Sequence, residues 1–248
     1  INIDPLFCDF ENGDFSLAEN SPAVGAGENE TDIGALGVGC GPIYTGPVWH
    51  VATTGSDETG DGSEENPFAT IQYGIDNIPE NDSILVHEGI YFENINFNGK
   101  NLYLGGEDKE TTIIDGNQNG SVITFNSNED STSVIEGFTI QNGLKEESAD
   151  GIAETIYEVS GAGIFIGNNS NPIIQNCVIS NNIADGDGAG IHINGSSPKL
   201  YNLEISYNKS LIGQGSAIYC GGNDASENGN FSRIFASNLL MTNNEGQE

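Results

Sequence analysis

Basic side chains are the scarcest chemistry-bearing residues in this chain. Lys100, Lys109, Lys145, Lys199, Lys209 and Arg233 stand against 37 Asp and Glu, a formal net charge of −31. A field of that sign repels phosphate backbones and anionic membranes, which excludes nucleic acid as a partner. It also repels acidic polysaccharides unless cations bridge them, so a divalent cation is the ionic partner to expect. Asp57, Asp61 and Glu64 lie in one acidic turn, where clustered oxygens suit a hard cation such as Ca²⁺, although their spacing is not that of an EF-hand. His50, His87 and His192 are far apart and show no metal-ligand spacing. Asp185 and Asp187 have the chemistry of a hydrolase acid pair. They stand, however, in a Gly-rich corner where Asp is a common turn former. Nothing resembles a phosphate loop or a nucleophile elbow, so no residue is assigned a catalytic role and no cofactor is required.

Four cysteines are too few for a disulfide scaffold. A bridge between Cys8 and Cys40 would stabilise by about 3–4 kcal/mol in an oxidising compartment. Four unpaired thiols is the alternative, and the sequence leaves the two open. Cys177 and Cys220 fall at inward positions of different strands and read as separate buried thiols.

The elements that position these residues show in a repeat. Gly161, Gly188 and Gly215 fall 27 residues apart, opening Gly-Ala-Gly-Ile-Phe-Ile, Gly-Ala-Gly-Ile-His-Ile and Gly-Ser-Ala-Ile-Tyr-Cys. A fixed period with short alternating runs broken by Gly, Asn, Ser and Pro marks stacked strands, one repeat per coil of a parallel β-helix. Ile164-Phe165-Ile166, Ile191-His192-Ile193 and Ile218-Tyr219-Cys220 then form one column. Cys177-Val178-Ile179, Leu203-Glu204-Ile205 and Leu239-Leu240-Met241 form another, under Phe138-Thr139-Ile140. Period-2 alternation turns the middle residue of each triplet outward. Asn182, Asn208 and Asn244 follow the second column and read as a structural ladder. The first coils are assigned to 84–86, 95–97 and 102–104, then 113–114, 123–125 and 138–140. Ile71, Ile75 and Ile78 have the spacing of a short amphipathic helix, suited to cap the N-terminal end of a solenoid.

Two insertions flank the outward column of Thr124, Phe165, His192 and Tyr219. One follows Ile140 and carries Glu146, Glu147, Asp150, Glu154, Glu158 and Tyr157; the other runs from Gly221 to about Phe235. Phe165, His192 and Tyr219, with Tyr157, are therefore the candidate ligand-binding residues, an aromatic ladder for the apolar faces of sugar rings. The competing reading is that the insertions cover these rings as a satellite core.

The stretches Val51-Ala52-Thr53-Thr54-Gly55-Ser56-Asp57, Asn66-Pro67-Phe68-Ala69-Thr70-Ile71-Gln72, Gly89-Ile90-Tyr91-Phe92-Glu93-Asn94-Ile95 and Ile114-Asp115-Gly116 resemble the pectate-lyase-like superfamily. More narrowly they resemble bacterial secreted β-helix repeat proteins, and the likeness covers residues 49–248. It implies an all-β, right-handed, single-stranded parallel β-helix over 49–248. Residues 1–48, loop-rich with short apolar anchors, resemble the tail of a preceding β-helix unit plus linker, which implies β-helices in tandem. Lyases of this superfamily use a Lys or Arg base, but none of the six basic residues sits mid-strand on an outward face. Neither a paired Arg motif nor a Gly-His-Gly signature is present. The chain opens in mid-element without a signal peptide and has no run of about 18 apolar residues. The resulting expectation is an excerpt of a secreted or cell-surface protein, non-catalytic, serving as a scaffold or glycan-binding element. A polysaccharide lyase or glycoside hydrolase acting on extracellular polysaccharide is the alternative.

Overall fold

The computed structural model describes residues 5–9, 13–19, 21–33, 36–40, 48–146, 159–221 and 232–246. The chain divides into two compact units, Ile1–Gly46 and Pro47–Glu248. In the first, strand Asp14–Ala18 pairs antiparallel with Phe7–Asp9 and parallel with Val38–Cys40. Cys8 and Cys40 form a disulfide across this small sheet, with Cα atoms 5.8 Å apart. Leu17 and Ala18 are buried, whereas Phe15 and Leu36 are exposed. Few large apolar side chains are buried among the described residues of this unit, which makes a covalent staple valuable.

The second unit is a right-handed parallel β-helix. Its strands stack in columns. The first column is Val48–Val51, Ser83–Val86, Tyr103–Gly106, Val134–Glu136 and Ile173–Gln175, continued by the first halves of Lys199–Ser206 and Phe235–Thr242. The second is Gly89–Phe92, Thr112–Asp115, Thr139–Gln141 and Val178–Ser180, continued by the second halves of the same two long strands. The third is Ile95–Asn96, Ile123–Phe125, Ile164–Ile166, Ile191–Asn194 and Ile218–Gly221. A minor column joins Leu144–Lys145, Ile183–Ala184 and Lys209–Ser210. The expected triplets therefore pair in register. The coil assignment at the N-terminal end is corrected, because Val48–Val51 is the first strand and residues 102–104 belong to the following coil.

Inward residues of the three columns, among them Ile84, Leu104, Ile114, Phe125, Ile140, Ile164, Ile179, Ile191 and Ile205, are fully buried and make one continuous core. Cys177 is buried as expected, and Cys220 is exposed. Cys220 faces a hollow of about 620 Å³, lined also by Ile218, Leu239 and Met241.

The repeat glycines have a backbone cause. Gly161, Gly188 and Gly215 all have positive φ (72°, 60° and 61°). A Cβ at Gly188 or Gly215 would also strike the carbonyl oxygen of Ile191 or Ile218. The helix Ile71–Asn77 buries Ile71, Gly74 and Ile75 against the first coil, with Ile78 buried just beyond it. It forms the expected cap.

The asparagine ladder is present and polar. Asn182 donates from its Nδ2 to Asn208 Oδ1 (2.9 Å), and Asn208 donates in turn to Asn244 Oδ1 (3.0 Å). Each Oδ1 also accepts the backbone N–H of the preceding asparagine, and the Nδ2 groups reach the carbonyls of Ile140, Ile179 and Ile205. A second ladder, unread in the sequence, runs from Asn176 through Asn202 to Asn238 at the corner between the first two columns. Replacing Asn208 by Ala strands the buried Asn182 N–H and Ile179 carbonyl. The expected loss is about 2–6 kcal/mol in urea unfolding, at 1–3 kcal/mol per unsatisfied buried group.

Candidate functional site

The acidic turn is a capping device. Asp57 Oδ1 accepts the N–H groups of Ala69 (2.8 Å) and Thr70 (3.1 Å), and its Oδ2 accepts the Thr70 hydroxyl (2.8 Å). Thr70 is the N-cap of the helix, accepting from Tyr73 N–H. The first turn is completed by Glu93, whose two oxygens accept the N–H groups of Ile71 and Gln72, both at 2.9 Å. Burial pushes the Glu93 carboxyl up, against the two amide bonds that hold it down. Lys100 closes the other end by donating to the carbonyls of Ile75, Asp76 and Ile78 at 2.8 Å each. Both ends of the macrodipole are thus met by the appropriate charge. Asp61 holds Ser63, and Glu64 is exposed, so Asp57, Asp61 and Glu64 are not brought together around one point. No three His, Cys, Asp or Glu side chains among the described residues converge as a metal site.

The aromatic column forms, with a different geometry from a sugar platform. Phe165 and His192 stack at 5.5 Å with planes 4° apart, and His192 and Tyr219 at 5.2 Å and 20°. His192 is 0% exposed, while Phe165 and Tyr219 are half-buried. Rings stacked along the solenoid axis spend their faces on each other. A ligand meets ring edges, and faces only at the two ends. This corrects the expectation that His192 lies open to a ligand. Tyr157, with Glu147, Asp150, Glu154 and Glu158, lies outside the described residues. The sequence held an unread signal for ring placement. Gly167 and Gly221 stand two residues after Phe165 and Tyr219, and a Cβ on either would collide with the ring. Tyr103 and Gly105 repeat the arrangement.

Two further clusters went unread. His50 Nδ1 lies 3.1 Å from His87 Nε2, and His87 Nδ1 lies 2.8 Å from Glu107 Oε1. Glu107 Oε2 accepts the Glu88 N–H, and this bond, with His87, holds the Glu107 carboxyl below its usual range. Val51, Val86 and Gly106 are in register, so His87 and Glu107 are the next residues of adjacent coils. Unequal coil lengths hide that adjacency in the sequence. On the same sheet, Glu136 accepts from Tyr103 Oη (2.9 Å), Gln175 Nε2 (2.8 Å) and Asn176 Nδ2 (2.6 Å). Burial and Glu136 push the Tyr103 phenol up. Asp187 holds Gln214 N–H through its carboxylate, its usual role in such a corner.

Two outcomes follow. Asp57→Ala removes the acceptor of three donors at the helix start and is expected to cost about 1–2 kcal/mol, read as a lower urea midpoint. Burial lowers the pKa of His192 below its ordinary 6.5, opposed by its bond to the Asp187 carbonyl at 3.3 Å. The fold therefore holds His192 neutral while the unfolded chain takes up a proton near the ordinary value. Stability is full above that pH and falls as the pH drops below it. Urea midpoints between pH 8 and pH 5 are expected to fall more steeply for the natural chain than for His192→Phe.

No protein-family model matches this chain, and no curated protein does. Among solved structures it is similar to a pectin methylesterase from carrot at 16% identity and TM-score 0.45, covering 79% of this chain and 65% of that one. A pectin methylesterase in complex with a hexasaccharide gives 14% and 0.47, covering 81% and 66%. PemA from Erwinia chrysanthemi, also a pectin methylesterase, gives 12% and 0.42, with the same coverage. This chain thus spans 65–66% of the length of those chains. At such identities and TM-scores the likeness assigns neither family nor role to this chain, and its parallel β-helix rests on the strand pairing described above.

Proposed function

We propose that this chain is a module of the cell exterior whose β-helix serves as a rigid scaffold for binding polysaccharide, without cleaving it. The observation that carries the reading is the state of its acids. Asp57, Glu93, Asp115, Glu129 and Glu136 each accept two or more hydrogen bonds from backbone, amide or hydroxyl donors. Carboxylates so occupied organise turns rather than transfer protons. The Cys8–Cys40 disulfide supports an oxidising, extracellular setting. No helix among the described residues is long and apolar enough to cross a membrane. Phe165 and Tyr219, with Tyr157, are the proposed contacts, the ligand lying across ring edges and the free end faces.

Cleavage of the bound polysaccharide, by a lyase or a hydrolase, is the second reading. The arrangement that favours it is His50–His87–Glu107, an imidazole oriented by a second imidazole and a carboxylate.

The test is a glycan array probed with the whole chain, with and without millimolar Ca²⁺, beside a Phe165→Ala/Tyr219→Ala double variant. Binding by the natural chain that the double variant loses is the expected result. Release of shortened or de-esterified product from the bound glycan, abolished by His50→Gln, would replace the binding reading with the catalytic one.

A further inference from the structure

We propose that Tyr207 is a sugar-stacking platform for an uncharged polysaccharide; this rests on the glycan-binding reading and assigns it a second contact face. Gln141, Ser180, Ser206 and Thr242 are in register, and the next residue of each coil turns the corner in the left-handed region. Three of the four are asparagine, Asn142 (φ 57°), Asn181 (φ 57°) and Asn243 (φ 53°), and the fourth is Tyr207 (φ 57°). Asparagine tolerates this conformation, whereas a bulky side chain is strained in it.

The backbone at this corner asks nothing of a tyrosine. Tyr207 N–H donates to the Thr242 carbonyl at 3.3 Å, and Asn181 N–H makes the equivalent bond to Ser206 at the same distance. Tyr207 is 60% exposed, and among the described residues its ring has no aromatic neighbour and its hydroxyl no hydrogen-bond partner. A strained residue whose side chain stabilises nothing inside the fold points to something outside it.

The surroundings fit a sugar. Asn181 and Asn243, both exposed, sit one coil to either side, at a strand spacing of about 4.8 Å. A flat apolar face between two amides offers stacking to the C–H face of a pyranose and hydrogen bonds to its hydroxyls. Lys209, two residues along the chain, is paired with Glu245 at 3.2 Å. With a chain charge of −31, that pairing disfavours a uronate and favours an uncharged chain.

The experiment compares the whole natural chain with Tyr207→Asn, Tyr207→Phe and Phe165→Ala/Tyr219→Ala. The probes are cellohexaose, xylohexaose and hexagalacturonate by calorimetric titration, with thermal unfolding of each variant. Tyr207→Asn is expected to raise Tm by a few degrees, by relieving the corner. It is also expected to bind the neutral hexasaccharide at least about tenfold more weakly, while Tyr207→Phe retains binding. Unchanged binding by Tyr207→Asn, where Phe165→Ala/Tyr219→Ala loses it, overturns this inference and leaves the glycan-binding reading standing. Absence of binding to all three probes overturns both. A Tm unmoved or lowered in Tyr207→Asn, or preference for hexagalacturonate, overturns the inference alone.

Discussion

A chain that climbs one strand spacing per coil has to reverse direction at each corner within a residue or two, and the left-handed backbone region is how this one does it. Apart from glycine, the described residues with positive φ are all asparagine except Leu6, Gln118 and Tyr207. The same residue type solves the second problem of a corner, a polar backbone turned into an apolar tube. An asparagine amide carries both a donor and an acceptor, so a stack of them satisfies the backbone of one coil and its own neighbours in the next. The ladder through Asn182, Asn208 and Asn244 does this at one corner, while Asn176, Asn202 and Asn238 link coil to coil through their side chains at another.

The same demand governs the acids. Glu129, 0% exposed, accepts the N–H groups of Gly99 and Ser127 and the Ser170 hydroxyl, tying together three separate turns. Asp115 holds Asn117 within its turn and Gln141 and Asn142 in the next coil. Much of the acidity that looks like a site in the sequence is therefore turn chemistry. The helix cap shows it most fully, since Asp57 from before the helix and Glu93 and Lys100 from after it meet both ends of one short helix.

The repeating part of the fold was legible because its period is constant. Gly161, Gly188 and Gly215 announce the coils, and the triplets after them fall in register. Val134–Glu136 and Ile173–Gln175 were not read as strands, since three residues between turn signals carry little periodicity. The aromatic column was found, but its ring planes were not, because stacking direction depends on the glycines two residues on rather than on outward placement alone. The His50–His87–Glu107 cluster was invisible for another reason. Spacings of 37 and 20 residues hide neighbours that a coil of irregular length brings side by side.

That cluster also fixes where its protons sit. An ionised Glu107 has only lone pairs to offer, so the hydrogen between it and His87 belongs to His87 Nδ1. A neutral His87 is then bare at Nε2 and receives the hydrogen on His50 Nδ1, which leaves His50 bare at its own Nε2. One carboxylate just past the third strand of the sheet thereby dictates the tautomer of a histidine in the first. The two rings act as a single oriented wire, with its negative end anchored at Glu107 and its one open lone pair on the first strand of the solenoid.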